Sequence, residues 1–130
     1  MNTKVPAHRR PAFARKPRPA FARKSREKVE SEATLTRKCQ AFLASVKAAG
    51  HPIWWYKIHC GGYAKAGIPD LCIVVGGRSL WVELKTATGK VQKIQLVRLA
   101  EIRAAGGVAC ICRSVDELRE VVERLLVEQA

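Results

Sequence analysis

Three residues of this sequence have the types and spacing that chemistry needs: Asp70, Glu83 and Lys85. Two apolar runs, Asp70–Val75 and Arg78–Thr86, flank Gly76-Gly77, the composition of a two-residue hairpin turn. With that turn the pairing runs from Val75 facing Arg78 to Asp70 facing Glu83. Side chains alternate along a strand, so Asp70, Cys72 and Val74 share a face with Trp81, Glu83 and Lys85. Two carboxylates then meet across the ladder with Cβ atoms roughly 4.5–5.5 Å apart. Like charges repel there unless something positive stands between them. Lys85 supplies one cation on the same face. A divalent metal held through carboxylate oxygens, the ligands that Mg²⁺ prefers, would supply a second.

A Glu-x-Lys pattern also occurs on solvated mixed-charge faces. Against that, these strands are apolar on both sides: Leu71, Ile73, Val75, Leu80, Val82 and Leu84 on one, Cys72, Val74 and Trp81 on the other. Such a sheet is expected to be covered on both faces. Three ionisable groups at one end of it are costly unless they serve a function.

The elements that must carry these residues follow from periodicity. Leu35, Cys39, Phe42, Leu43 and Val46 fall at helical spacing and Gly50 follows, which predicts an amphipathic helix over Ser31–Ala49. Ile53–Ile58, rich in β-branched and aromatic residues, predicts a strand, and a glycine-bearing loop, His59–Pro69, leads to the hairpin. Val91–Ala105 reads as a helix ending at Gly106-Gly107, and Val108–Arg113 as a short strand. Ser114 with Glu117 has the form of a capping box, and Leu118, Val121, Val122, Leu125 and Leu126 continue as an apolar stripe. The order is α-β-β-β-α-β-α, an α/β arrangement with helices flanking a mixed β-sheet.

Charge divides the chain in two. It has 130 residues, and 24 Lys+Arg against 11 Asp+Glu give a net charge of +13. Residues 1–28 hold ten Lys/Arg and a single acid, Glu27, and repeat Pro-Ala-Phe-Ala-Arg-Lys at positions 11–16 and 19–24. Prolines mixed with like charges build no packed core, so 1–28 is expected to be a flexible, disordered basic arm and 29–130 the folded domain. A hydrophobic content of 48% excludes a wholly disordered chain, and the length suits one domain. No apolar run approaches the ~20 residues of a membrane span, and the basic start lacks the apolar stretch of a secretory signal. The charge points to a polyanion, nucleic acid ahead of an anionic membrane surface. Five cysteines without a C-x-x-C pair argue for reduced thiols in a cytosolic setting and against zinc.

On these residues the chain resembles the PD-(D/E)xK nuclease superfamily and, more narrowly, a stand-alone VRR-NUC domain. The matching stretches are Gly67-Ile68-Pro69-Asp70-Leu71, Val82-Glu83-Leu84-Lys85, Gln95 in the following helix, and Gly106-Gly107 with the strand after it. Together they cover about residues 31–115. The resemblance implies a restriction-endonuclease-like fold and Mg²⁺- or Mn²⁺-dependent phosphodiester hydrolysis. It also implies a homodimer, branched DNA such as Holliday junctions as substrate, and the cytoplasm of bacteria or of phage-infected cells. By the same resemblance Asp70 and Glu83 are metal ligands, with the Leu84 backbone carbonyl as a third. Lys85 positions the attacking water and stabilises phosphate charge, and Gln95 orients Lys85 or the water. As an amide on the inward stripe of its helix, Gln95 could equally serve a backbone hydrogen bond. A ligand from the first helix falls first to Glu32 and second to Glu30, although complementing the helix dipole explains both as well.

Other candidates concern DNA contact. Tyr63 and Lys65 lie with His59 in the glycine-bearing loop, which suits close approach of a phosphate backbone, and loop flexibility alone would also account for the glycines. Lys90 and Lys93 open the second long helix. Arg15, Lys16, Arg23 and Lys24 belong to the repeats of the arm. Trp54, Trp55 and Trp81 are expected in the core or at a dimer contact rather than as base-stacking platforms. Two function classes therefore stand: a metal-dependent, structure-selective DNA endonuclease, and a nucleic-acid-binding module on a nuclease fold without catalysis. The opposed carboxylates favour the enzyme, because a protein that only binds a polyanion has no use for them.

The arm makes a separable contribution. Each phosphate it neutralises steepens the salt dependence of binding by about 0.9 in log–log slope. Deleting residues 1–28 is expected to lower DNA affinity and flatten that slope by several units, as measured by titration across a salt series. Equal slopes with and without the arm would remove it from the DNA contact.

Overall fold

The structure, a computed structural model, describes residues 30–59 and 62–129. The basic arm assigned to 1–28, with Arg15, Lys16, Arg23 and Lys24, lies outside the described residues. The chain runs α1 (Glu32–Ala48), β1 (Ile53–Lys57), β2 (Leu71–Val75), β3 (Arg78–Leu84), α2 (Lys93–Ala104), β4 (Val108–Cys112) and α3 (Val115–Gln129). The expected order holds, and element ends differ by one or two residues, where fraying and caps decide. Among the described residues no helix is long and apolar enough to cross a membrane.

The four strands form one mixed sheet in the order β1-β2-β3-β4. The first three are antiparallel neighbours, β1 and β2 joined through residues 58–70 and β2 and β3 by the Gly76-Gly77 turn, and β4 pairs parallel with β3. A parallel neighbour cannot be reached by a tight turn, so the chain crosses over through α2. Between β2 and β3, Gly76 and Gly77 hold φ of 57° and 78°. Positive φ at both central residues is what the tight hairpin turn demands and what glycine adopts without strain. The resulting register, Val75 with Arg78 through Leu71 with Val82, is the one expected from the turn.

One face of this sheet is the core. Leu71, Ile73, Val75, Leu80, Val82 and Leu84 are wholly buried beneath Leu35, Cys39 and Leu43 of α1 and Leu118, Val122 and Leu125 of α3. Each leucine so buried contributes about 2 kcal/mol of transfer free energy. Ser31 starts α1 by accepting a hydrogen bond from the Thr34 N–H at 3.2 Å. Ser114 starts α3 by accepting from the Glu117 N–H at 3.2 Å. The return bond of that cap differs from expectation: Glu117 reaches the Arg113 N–H, one residue earlier, at 2.6 Å.

The opposite face departs from the expectation of cover on both sides. α2 packs over β4 and β3 only, with Leu99 and Ala109 buried between them. Among the described residues, the β1–β2 half has no helix above it. Val74 and Trp54 are exposed there, so Trp54 is not a core residue, whereas Trp55, on the other side of the same strand, packs against the core. The cause is geometric: one short crossover helix spans two strands, not four.

The loop before β2 is seated on the start of α2. Arg98 donates from Nε to the Ala66 carbonyl at 2.9 Å, and Gly67 holds φ of 77° with its Cα against Ile94. A Cβ at position 67 would stand 2.8 Å from the Ile94 carbonyl oxygen. Gly67→Ala is therefore expected to lower stability by about 2 kcal/mol, through both the positive φ and the clash. The reading is the midpoint of chemical denaturation at constant slope; an unshifted midpoint would mean the loop is not seated as described.

Candidate active site

Asp70 and Glu83 come together where the β2–β3 ladder ends. The backbone pairing of these strands stops at Leu71 with Val82, and the next residues outward are Asp70 and Glu83. Asp70 stays anchored to the sheet because its carbonyl accepts from the Ile58 N–H at 2.8 Å. Its side chain replaces the missing ladder partner: Oδ2 accepts from the Leu84 N–H at 2.8 Å. The neighbouring Lys85 N–H points the other way and donates to the Cys112 carbonyl of β4 at 3.1 Å. The residues Glu83-Leu84-Lys85 are thus held from both sides by hydrogen bonds of alternating direction.

Glu83 is the most constrained of the group, with 3% of its side chain exposed. Oε1 receives two cationic or polar partners: Gln95 Nε2 donates to it at 2.8 Å, and Lys85 Nζ stands at 3.6 Å. Oε2 is buried and, among the described residues, has no hydrogen-bond partner. A buried, unpartnered carboxylate oxygen is unfavourable by about 1–3 kcal/mol or more. Burial first, then the Asp70 charge, pushes the Glu83 carboxyl up from 4.5 to about 7; Lys85 opposes this, and Glu32 adds to it.

Gln95 does two things at once. Its Oε1 accepts from the Gln92 N–H at 2.9 Å, closing the first turn of α2, while its Nε2 holds Glu83. The backbone hydrogen bond weighed from sequence is present, and the expected contact with Lys85 is not. The partner of this amide in the site is Glu83.

The remaining candidates are placed less centrally. Glu32 lies in the first turn of α1 with an exposed side chain, near enough for its charge to act on Glu83. Glu30 is engaged elsewhere, by Lys38 at 2.6 Å. Tyr63 and Lys65 are exposed in the loop before β2, and Lys90 and Lys93 are exposed around the start of α2. None of these four is hydrogen-bonded or ion-paired to the carboxylate pair. Leu84 is buried, its backbone lying between the two charged residues it separates.

Arg113 escaped the sequence reading. Its Nη1 donates to the Thr86 and Gly89 carbonyls at 2.7 and 2.8 Å, tying the loop after Lys85 to the end of β4. An arginine at a strand end carries no motif, and only the fold reveals which carbonyls it meets.

The donor set suits a hard divalent cation. Asp70 and Glu83 offer carboxylate oxygens, one of them buried without a partner, and Mg²⁺ binds through one or two carboxylates while keeping waters and substrate oxygens. Among the described residues no group of three or more His, Cys, Asp or Glu stands at metal-ligand spacing. The thiols of Cys39, Cys72, Cys110 and Cys112 are free.

The fold with this geometry is similar to that of a solved structure described as a VRR_NUC domain. The TM-score is 0.57 at 19% sequence identity, over 71% of this chain and 94% of that one. No family model and no curated protein matches the chain.

The Glu83 environment has a consequence for stability. With a carboxyl at about 7 when folded and 4.5 when unfolded, the folded state holds more proton between those values. Its contribution is complete below the unfolded value and is lost as pH rises through the folded one, a fall on the order of 3 kcal/mol. Denaturation of wild type and Glu83→Gln in chelator, at pH below and above this window, checks it. The glutamine variant is expected to lack that part of the decline; matching pH profiles would contradict the assignment.

Proposed function

We propose that this chain, which carries the fold of a VRR-NUC domain, is a divalent-metal-dependent endonuclease that hydrolyses DNA phosphodiester bonds. The observation that carries the reading is Glu83: a carboxylate buried beside Asp70, with one oxygen gripped by Gln95 and Lys85 and the other unpartnered. Such an arrangement is costly for a protein that only binds nucleic acid, and it is useful to one that binds a cation. The net charge of +13 supports a polyanionic substrate.

Mg²⁺ or Mn²⁺ would be held by Asp70 and Glu83, with the Leu84 carbonyl as a further oxygen donor, and would polarise the phosphate and lower the pKa of water. Glu32, expected as a ligand from the first helix, is not at ligand spacing with the pair and acts on it only through its charge. The chain's own residues do the rest. Asp70 is held in position by the Leu84 N–H, so its free lone pairs are presented at a fixed place. Gln95 fixes the rotamer of Glu83. Lys85, with 14% of its side chain exposed, keeps a cation within reach of a phosphate oxygen, where it stabilises developing negative charge. Tyr63, Lys65, Lys90 and Lys93, together with the basic arm, are the proposed contacts to the DNA backbone. Branched DNA such as a four-way junction is the proposed substrate. Paired cuts across it need two sites at fixed separation, which a symmetric homodimer supplies.

Cleavage of labelled duplex, flap and four-way-junction DNA with and without Mg²⁺ tests this reading. Asp70→Asn, which keeps an acceptor for the Leu84 N–H, is expected to abolish cleavage while DNA binding survives. Lys85→Ala is expected to slow cleavage by about a hundredfold or more and to weaken binding only slightly. Folded Asp70→Asn protein that cuts at the wild-type rate would refute the site. Tight binding with no cleavage of any substrate would leave a binding module.

A further inference from the structure

The half of the sheet that α2 leaves open carries an aromatic pair. Trp54 and Tyr56 occupy successive same-face positions of the edge strand β1, with 55% and 54% of each residue exposed. Their rings are nearly parallel, 7° apart, with centroids separated by 6.4 Å. Val74, the partner of Trp54 across the ladder, is exposed beside them. Large rings are normally buried, and a pair kept parallel in water calls for an explanation.

Register places the pair next to the carboxylates. Tyr56 faces Cys72, and Asp70, just before β2 begins, lies two residues from Cys72 on the same face, roughly 7 Å along the chain. The aromatic pair and the carboxylates therefore share one face of the sheet. Two cations lie toward the site end of this face: Lys85 stands 3.6 Å from Glu83, and Lys65 is exposed in the loop that leads to Asp70, whereas Lys57 alternates to the opposite face of β1.

We propose that Trp54 and Tyr56 form a stacking surface for unpaired nucleobases of a strand whose phosphate backbone runs toward Asp70 and Glu83. Flat exposed rings beside cations are how proteins hold single strands without reading their sequence, since every base has a π-face to offer. A duplex, its bases already stacked on one another, gains nothing from these rings. The surface thus separates nucleic acids with unpaired bases from continuous duplex. This inference rests on the nucleic-acid reading above and adds to it the part of the substrate that lies beside the cleaved bond.

The test uses the full-length protein in chelator and at raised salt, where electrostatic binding fades and stacking persists. The probes are a short mixed-sequence oligonucleotide and the duplex made from it. The double variant Trp54→Leu/Tyr56→Leu keeps an apolar surface without rings, and Trp54→Phe/Tyr56→Phe keeps rings. The leucine pair is expected to weaken single-strand binding by about tenfold or more. Duplex binding should stay unchanged, and the phenylalanine pair should restore most of the loss. Single-strand affinity unaffected by the leucine pair overturns the proposal. So does a leucine pair that alters sedimentation but not affinity, which would make the face a contact between copies of the chain. Cleavage is read separately: a protein that cuts DNA but ignores the leucine pair loses this surface and keeps the nuclease reading. One that holds single strands through the rings and cuts nothing does the reverse.

Discussion

Two adjacent glycines with positive φ decide which way every side chain of the central hairpin faces. The side-chain period of a strand is two, so a slip of one residue at Gly76-Gly77 would exchange the faces of β2 or β3. Either Leu71, Ile73 and Val75 or Leu80, Val82 and Leu84 would leave the core, and Asp70 or Glu83 would turn toward it. Burial of those six side chains therefore holds the register, and the register in turn places Asp70 opposite Glu83. The hydrophobic core is the force that keeps two like charges side by side.

That enforced neighbourhood is managed by local hydrogen bonding. Asp70 is satisfied by a backbone N–H freed where the ladder ends, and Glu83 by an amide and an ammonium on one oxygen. The other Glu83 oxygen is left without a partner, and burial together with the Asp70 charge raises the carboxyl pKa. Folding energy from α1, α3 and the inner face of the sheet is far larger than this local cost, so the fold tolerates it.

Much of this was legible in the residues. Alternation around a Gly-Gly turn was enough to derive the register and the facing carboxylates, because strand geometry leaves no other choice. The helices followed from apolar spacing and from Ser31 and Ser114 as caps. What periodicity did not convey was lateral position. Nothing in Val91–Ala105 says that α2 would cover two strands and leave Trp54, Tyr56 and Val74 in the open, since that depends on where a crossover helix comes to rest. The partner of Gln95 was hidden for a different reason: an amide can donate or accept, and only the fold shows which atom meets what. Arg113 was silent because its acceptors are backbone carbonyls, which every residue has. The family resemblance, carried by Asp70, Glu83, Lys85 and Gln95, agrees with the fold that is observed.

The two bonds of Gln95 bear on what evolution can write at that position. The Gln92 N–H demands an acceptor, and Glu83 demands a donor, at opposite ends of one side chain. Glutamate, the usual alternative in a helix-capping box, would keep the acceptor but bring a further anion against a carboxylate already short of partners. Asparagine has the right groups on too short a stem, and lysine or arginine has no acceptor to give. Residue 95 thus has an alphabet of nearly one letter, set by a helix on one side and a buried acid on the other.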